Sequence, residues 1–296
     1  MPWYATHGRH ALPWRATRDP YAILVSEVML QQTQVERVLP YYRRWLERWP
    51  TVASLAGAGP SDAIREWAGL GYNRRALNLH RLAIVVCETH GGQIPSEVAL
   101  LRTLPGVGAY TASAVASFAF DQAVPVADTN ISRVVARVIL GCASQKEVQG
   151  RELAAATAAL LPTSGIRDHN LALMDLGATV CSARAPRCDA CPLGRLCAWR
   201  EAGFPKPVRP AVPAAERFEH TARFARGRIV DALRAEPELP EFTLKALLPE
   251  RHAARLATYL SALEREGLVE RRDTGAWALP GTDSAQGSSS MASPKL

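Results

Sequence analysis

Apolar side chains recur at spacings of three and four residues from Pro20 to about Ala183. Turn-forming stretches such as GAGPSD, GGQIPSE and PTSG interrupt the pattern, and no segment there alternates apolar and polar residues as a half-buried strand does. The pattern therefore predicts a succession of packed helices. We expect an all-α fold over this part of the chain.

One predicted helix carries a carboxyl group among apolar neighbours. In AILVSEVMLQQTQVERVL, residues 22–39, helical spacing places Ile23, Leu24 and Leu30 on the flank of Glu27, and other apolar residues cover the remaining faces. A helix that is apolar all round is normally buried. An ionised carboxyl is unfavourable there unless it is paired, so Glu27 is either a structural acid or a group held protonated for chemistry.

A proline-rich stretch divides the chain. FPKPVRPAVP, residues 204–213, has four prolines in ten residues and predicts an extended linker. The segments that follow predict three helices and a hairpin with an Asp-Thr-Gly turn: Phe218–Arg234, Phe242–Leu248, His252–Glu266 and LVERRDTGAWAL. This order is typical of a small winged-helix-like module, which we assign to residues 214–281. A tail rich in Ser, Gly and Ala, 282–296, is expected to be disordered.

Composition narrows the class of protein. The chain has 296 residues, 48% of them hydrophobic, which allows two or three domains with sizeable cores. We expect a soluble, cytoplasmic protein, because no apolar run approaches the roughly 20 residues of a membrane span and MPWYATHGRH lacks the apolar segment of a signal peptide. A net charge of +7 favours a polyanionic partner.

Four of the six cysteines lie close together in CSARAPRCDACPLGRLC: Cys181, Cys188, Cys191 and Cys197. Thiols at this density in a cytoplasmic protein indicate a metal centre rather than disulfides. A tetrahedral zinc site and a [4Fe-4S] cluster fit the spacing equally well. The isolated Cys87 and Cys142 are expected to be small core residues.

Two glycines precede an Ala- and Ser-rich segment in LPGVGAYTASAVASFAF, residues 104–120. Gly106 and Gly108 permit a tight turn whose amides, at the start of a helix, can face a phosphate. An ordinary helix–helix turn is the alternative.

Farther along, VPVADTNISRVVARVI places Asp128 directly before an apolar helical stripe, as an N-cap. A carboxylate at a helix start is expected to stay ionised, which also suits the stabilisation of nearby positive charge.

Taken together, these motifs resemble the helix-hairpin-helix DNA glycosylases and, among them, the MutY-type adenine DNA glycosylases. The resemblance runs from Trp3 to about Trp199. The stretches that carry it are the four cysteines, SEVMLQQTQ, LPGVGAYTA, VADTN, LPWR, GLGYNRRALNLH and HNLALMDLGATVC. It implies a two-lobed, all-helical catalytic region over residues 1–203, with a DNA-binding cleft and a cluster loop at 181–197.

The resemblance also implies a cofactor and a partner. The cysteines would hold a [4Fe-4S] cluster, and three arginines of the cluster loop would be available to phosphates: Arg184, Arg187 and Arg195. The partner would be double-stranded DNA containing a mismatch or lesion, bound by a monomer without a role for a membrane.

The family chemistry would use the two carboxyls. Glu27 would protonate a ring nitrogen of adenine and later assist water, and Asp128 would stabilise the cationic sugar or form a transient adduct. An apolar setting should raise the pKa of Glu27 towards neutrality.

Tyr110 replaces the lysine of bifunctional relatives such as endonuclease III, so a monofunctional enzyme is expected. Asn130 would orient water or acid, although it is equally an ordinary polar first-turn residue.

Four further positions match family residues that contact DNA. Gln32 and Tyr72 would fill the gap left by the flipped base and hold the strands open, or are packed surface residues. Trp14 and Arg15 match the entrance of the base pocket, or are a core tryptophan and a salt-bridged arginine.

Two departures from the family pattern bear on specificity. Leu171 stands where the family commonly has a Gln or Glu beside the adenine, so a polar contact to the purine is missing. The module 214–281 is too short and too helical for the Nudix-like domain that inspects 8-oxoguanine. Arginines of its first helix either bind DNA or only brace the enzyme: Arg223, Arg226 and Arg228.

The leading hypothesis is excision of adenine opposite 8-oxoguanine or guanine by base flipping and acid-assisted hydrolysis. One alternative is a glycosylase for another mismatched or damaged base, such as thymine opposite guanine. The other is a non-catalytic DNA-binding relative, which would be expected to lack Glu27 or Asp128.

Overall fold

A computed structural model of the chain describes residues 2–206 and 216–282. Most of the predicted linker, 204–213, and the first two residues of the predicted module lie outside the described residues, as does the predicted tail after residue 282. The boundaries assigned to these segments therefore stay predictions.

The described residues are mostly helical, which confirms the all-α prediction. The first helices are α1 (Pro2–His7), α2 (Pro13–Ala16), α3 (Pro20–Leu30), α4 (Val35–Arg48), α5 (Val52–Ala56), α6 (Pro60–Glu66), α7 (Arg74–Thr89), α8 (Val98–Leu101) and α9 (Ala109–Phe120). They are followed by α10 (Thr129–Val138), α11 (Gly150–Ala159), α12 (Ile166–Thr179), α13 (Ala198–Glu201), α14 (Ala222–Ala235), α15 (Glu241–Ala246), α16 (Glu250–Ala253) and α17 (Leu256–Glu266). Short 3₁₀ turns lie at Gln145–Glu147, Cys188–Ala190, Gly194–Leu196 and Phe218–His220. None of the helices in these two ranges is long and apolar enough to span a bilayer.

The chain divides into two compact units. Among the described residues, the first comprises 2–42 and 93–206, and the second comprises 43–92 and 216–282. In the first unit α3 packs against α9, and α10 packs against α12. Helix α3 is the buried helix that the apolar pattern predicted, since every side chain from Tyr21 to Met29 is buried.

In the second unit the C-terminal helices share one core with helices from the first half of the chain. Ile64 of α6 and Leu77 of α7 pack in the same apolar cluster as Ile229 and Leu233 of α14. Arg234 of α14 also donates to the carbonyl of Ile64 at 3.0 Å. The module is therefore held to these helices by apolar burial and by a directed hydrogen bond.

The helices of the module differ most from the predicted bounds in two places. Helix α14 begins at Ala222 rather than Phe218, because the Thr221 hydroxyl accepts a hydrogen bond from Phe224 N at 3.3 Å and caps the helix. The helix predicted over 252–266 is two helices, α16 and α17, separated around Arg255. The hairpin is present as β1 (Glu270–Arg271) and β2 (Trp277–Ala278), which pair antiparallel.

Candidate active site

Two carboxyl groups and a glycine turn line one cavity of the first unit. Its volume is about 1190 Å³, and its walls include Glu27 of α3, Asp128 before α10, and Gly106 and Gly108 before α9. Five more of the predicted site residues line it as well: Trp14, Arg15, Gln32, Tyr110 and Asn130. Residues from separate parts of the sequence therefore meet at a single site.

Glu27 is buried at the centre of α3, with a relative exposure of 5%. Burial raises the pKa of Glu27 from 4.5 to about 7. A hydrogen bond from Tyr110 and the charge of Arg15 oppose this rise, whereas the negative charge of Asp128 adds to it. Glu27 consequently retains a proton close to neutral pH, in the same cavity as Asp128.

The raised pKa of Glu27 makes the free energy of unfolding depend on pH. The folded state favours the protonated acid, so this stability is full below pH 4.5 and is lost as pH rises through the folded pKa of about 7. Glutamine does not titrate. As the pH rises from 4.5 to about 7, the parent chain should lose roughly 3 kcal/mol of its free energy of unfolding through this group, and Glu27→Gln should not. The free energy of unfolding of the variant minus that of the parent chain should therefore grow by this amount. Denaturant titrations of the parent chain and of Glu27→Gln at several pH values measure this difference. A pH-independent difference for Glu27→Gln would contradict the raised pKa.

Tyr110 is bonded directly to this acid. Its hydroxyl, on the first turn of α9, donates to Glu27 Oε2 at 2.7 Å. Burial, followed by the negative charges of Glu27 and Asp128, raises the pKa of Tyr110 well above its usual value. The phenol is therefore a permanent hydrogen-bond donor that orients the Glu27 carboxyl.

Asp128 caps α10 as the sequence predicts. Its Oδ1 accepts from Ile131 N at 2.6 Å, and its Oδ2 accepts from Asn130 Nδ2 at 2.8 Å. Burial nevertheless raises the pKa of Asp128, and the two hydrogen bonds offset only part of that rise. The helix end lowers the pKa of a capping carboxylate, but the cavity wall also desolvates Asp128, and this effect comes from residues distant in the sequence. Both donors favour the ionised form over the protonated form.

Sequence reasoning did not single out Arg133, which holds Asn130 in place. Arg133 Nη2 donates to Asn130 Oδ1 at 3.0 Å and to Gly177 O at 2.6 Å, and Arg133 Nε donates to Cys181 O at 2.7 Å. Gly177 allows this close approach of α12, because a Cβ there would lie 2.7 Å from Asn130 Cβ. Spacing of three residues along a helix links Asn130 to Arg133, but nothing in the sequence indicates Gly177 or Cys181 as partners.

The wall formed by Trp14 and Arg15 also depends on a residue that the sequence analysis left out. Asp175 of α12, fully buried, accepts from Arg15 Nη2 at 3.1 Å and from Arg9 Nε at 2.8 Å. Trp14 is buried edge-on against Tyr42, with ring centroids 5.2 Å apart. Both Trp14 and Arg15 are thus packed and paired while lining the cavity. The sequence does contain an indication of this role, because the Asp175 carboxyl, like that of Glu27, lies within an apolar helical segment.

The positions expected to meet DNA have unusual backbone conformations. Gly106 has φ of 77° and Gln32 has φ of 56°, both in the left-handed region. Gly108 is the N-cap of α9, and nothing lies within 4 Å of the Cβ position that it lacks. The cavity side of this turn is therefore open at the start of a twelve-residue helix. Leu171 is buried and lines the same cavity, where it offers only an apolar surface.

The predicted metal ligands line a second cavity in the first unit. Cys181, Cys188, Cys191 and Cys197 all border it, together with apolar side chains of α10 and α12. Arg137 Nη1 donates to Cys181 Sγ at 3.3 Å, and its guanidinium lies 4.6 Å from the centre of the Trp199 ring. No three Cys, His, Asp or Glu side chains among residues 2–206 and 216–282 converge as they would around a single metal ion. All four thiols therefore border one cavity, with the Arg137 guanidinium bonded to one of them.

Tyr72 belongs to the second unit and projects from a constrained loop. Gly69, Gly71 and Tyr72 have φ of 92°, 72° and 48°. The indole of Trp67 donates to Gly71 O at 3.0 Å, and Arg75 donates to the same carbonyl at 3.1 Å. The loop holds Tyr72 with 39% of its surface exposed.

Comparison with known proteins agrees with this geometry. Residues 25–156 match the HhH-GPD superfamily of base excision DNA repair proteins. The chain is 43% identical to an adenine DNA glycosylase of Mycolicibacterium smegmatis, over 95% of this chain and 94% of that protein. The chain belongs to the adenine DNA glycosylase family. Family membership extends to the C-terminal module, because an adenine DNA glycosylase of Mycobacterium tuberculosis is 44% identical over 95% of this chain.

Other relatives share a smaller part of the chain. A human adenine DNA glycosylase is 42% identical over 68% of this chain, which corresponds to 38% of the human protein. The solved structure of a thermostable thymine-DNA glycosylase is 33% identical, with a TM-score of 0.60, over 64% of this chain and 88% of its own. An endonuclease III–DNA complex, 24% identical over 64% of this chain and 87% of its own, has a TM-score of 0.56. The last comparison bears on the fold alone and agrees with the expected all-helical fold.

Proposed function

We propose that this protein is a monofunctional DNA glycosylase of base excision repair that excises adenine opposite 8-oxoguanine or guanine. The observation that carries the proposal is the site itself. A protonated acid, Glu27, fixed by Tyr110, lines the same cavity as a carboxylate, Asp128, that is held by two hydrogen bonds. Removal of a base needs a proton on the leaving base and negative charge beside the sugar, and the two carboxyls supply them.

The steps follow from the atoms of these residues. Glu27 gives its proton to a ring nitrogen of the extruded adenine while the bond between base and sugar breaks. The positive charge that develops on the sugar is stabilised by Asp128, whose orientation is kept by Asn130 and the backbone of Ile131. Glu27, now ionised, can take a proton from the water that attacks the sugar carbon. Adenine and an abasic site are the products.

The absence of an amine at position 110 predicts that the DNA strand stays intact. Tyr110 cannot form a Schiff base, so β-elimination should be negligible. Duplexes carrying A, C, G or T opposite 8-oxoguanine or guanine are incubated with the protein and then analysed with and without hot alkali. We expect strand breaks at adenine only, and only after alkali.

Borohydride added during turnover serves as the control for a covalent intermediate. No trapped protein–DNA species is expected, whereas breakage without alkali would contradict a monofunctional mechanism.

The same panel of duplexes tests the second candidate function. Leu171 removes a polar contact to a purine, and a structural relative is a thymine-DNA glycosylase, so release of thymine opposite guanine without release of adenine would replace the proposal.

Binding of DNA is the role we assign to the open glycine turn and to two exposed side chains. The amides before α9, at Gly106 and Gly108, would hold a phosphate of the damaged strand. Gln32 and Tyr72, each in a left-handed conformation that exposes its side chain, would enter the duplex when the adenine is extruded. Trp14 and Arg15 would border the base pocket.

We infer that the four cysteines hold a [4Fe-4S] cluster, as the family resemblance implies. A cluster takes one thiolate on each of its four irons, and all four cysteines border one cavity together with apolar side chains. Arg137 beside Cys181 would offset negative charge on the cluster, which would stabilise the loop 181–197. Protein purified without added metal is expected to be brown and to contain about four irons per chain. A colourless protein with one zinc would overturn the assignment.

A further inference from the structure

Three side chains of the second unit form a stack that the proposed chemistry does not use. The guanidinium of Arg223, on the first turn of α14, lies 4.9 Å from the ring centre of Tyr72 and 4.9 Å from that of Phe218. Arg223 Nη1 also donates a hydrogen bond to the Tyr72 hydroxyl. Phe218 is 53% exposed and Tyr72 is 39% exposed, so both rings of this stack are partly accessible to solvent.

The turn that carries Phe218 is held in place on the module. Thr221 Oγ1 donates to Phe218 O at 2.7 Å and closes the 3₁₀ turn. His252 Nε2 lies 2.9 Å from Glu219 O, and the ring of Phe224 packs edge-on against Phe218 at 5.7 Å. These contacts hold the turn in place, with the Phe218 ring partly exposed.

Helix α14 is also anchored at its far end, beside the loop of Tyr72. Arg234 Nη2 donates to Asn73 Oδ1 at 2.8 Å. The module thus contacts neighbouring positions of one loop, Tyr72 and Asn73, through arginines at the two ends of the same helix. The position of Arg223 over Tyr72 is therefore set by the shared core of the unit and not by a flexible tether.

Arg223 keeps its charge available. None of the ion pairs among the described residues involves Arg223, whereas Arg226, on the next part of the helix, pairs with Glu266 at 2.6 Å. A guanidinium with free donors, stacked between exposed rings, is a surface that binds the face and edge of a nucleobase.

We propose that Arg223 and Phe218 extend Tyr72 into a stacking platform for the purine that loses its partner when the adenine is extruded. This inference rests on the proposed function, because extrusion leaves a base of the opposite strand unpaired. Stacking on aromatic rings stabilises an unpaired base, and a purine offers the larger face. The guanidinium donors can bond the O6 and N7 edge of a guanine. The helical module would in this way read the opposite strand.

The test measures binding to a product analogue, so that it does not depend on turnover. Duplexes contain a tetrahydrofuran abasic site that faces guanine, 8-oxoguanine or a second tetrahydrofuran, and affinities are obtained by fluorescence anisotropy. The full chain is expected to prefer the purine-facing duplexes. Arg223→Ala and Phe218→Ala should each weaken purine-facing binding by about tenfold and change binding to the double-tetrahydrofuran duplex less than about twofold.

Two further variants separate stacking from charge and from folding. Arg223→Lys keeps the positive charge without the planar group, so it should remain as weak as Arg223→Ala on purine-facing duplexes. Arg265→Ala removes an exposed arginine from α17 of the same module and should leave the preference intact. The thermal unfolding temperature of each variant is also measured. A value within a few degrees of that of the parent chain would show that the module is folded.

Several results would overturn the platform. One is an equal loss of affinity for all three duplexes in Arg223→Ala, because a contact to a phosphate would produce that result. Another is full affinity of Arg223→Lys for the purine-facing duplexes. A third is an unchanged affinity of Arg223→Ala for those duplexes. If the chain releases adenine but its purine preference does not depend on Arg223, the inference fails and the proposed function stands. If the chain releases no adenine but the preference depends on Arg223 and Phe218, the proposed function fails and the platform stands.

Discussion

Replacement of Glu27 by glutamine is expected to lower the single-turnover rate of adenine release by about a thousandfold or more, with duplex affinity changed less than about threefold. Glutamine has nearly the same shape and can still accept the hydrogen bond from Tyr110. It carries no transferable proton at neutral pH, and it cannot become a base for water. The measurement is base release from an adenine–8-oxoguanine duplex with protein in excess, alongside anisotropy with the tetrahydrofuran duplex.

The control is Glu47→Gln, which makes the same chemical change on an exposed face of α4. It should release adenine at the parent rate. Retention of activity by Glu27→Gln would show that the proton reaches the base from another group. Loss of duplex binding in parallel would indicate a structural role instead, since a transition-state interaction affects the rate and not the affinity for product analogue.

Replacement of Asp128 by asparagine is expected to reduce the rate of adenine release by about a hundredfold or more. Asparagine is as good an N-cap as aspartate and can still accept from Ile131 N, so α10 should keep its start, although the bond from Asn130 Nδ2 is lost. What disappears is the negative charge that faces the sugar as positive charge develops on it. The rate is measured under the same single-turnover conditions.

Binding of charged and neutral sugar mimics identifies the reason for this loss. A duplex with a cationic pyrrolidine in place of the deoxyribose should bind the parent chain more tightly than the neutral tetrahydrofuran duplex, and Asp128→Asn should abolish that difference. Asp19→Asn is the matched control, because Asp19 is also an N-cap carboxylate and accepts from Tyr21 N and Ala22 N at the start of α3. An undiminished preference for the cation in Asp128→Asn would place the stabilising charge elsewhere.

The sequence predicted best the features that depend on near neighbours. The apolar spacing around Glu27 predicted a buried helix, and Tyr21 to Met29 are buried. Asp128 was predicted as an N-cap and accepts from Ile131 N. Element bounds were less accurate in the module, where the cap at Thr221 and the break near Arg255 separate helices that the apolar pattern joins.

Contacts between distant residues were not predictable from the pattern. The ion pair of Arg15 and Asp175 joins residues 160 positions apart, and the hydrogen bond from Arg133 to Cys181 spans 48 positions. The stack of Tyr72 and Arg223 spans 151 positions, and no local signal indicates that the module shares a core with α6 and α7. These contacts determine which polar groups are satisfied.

By itself the sequence determined the helical class, the positions of the two carboxyls on their helices, the glycine turn and the cysteine spacing. Each of these depends on the repeat of one helix or on a cap three residues away, and local chain geometry is the same in any fold. Only the tertiary structure decided the direction in which the pKa of Asp128 shifts, the partners of Arg15 and Arg133, and the position of Arg223 over Tyr72. Desolvation and ion pairing act through space, and therefore depend on which segments the fold brings together.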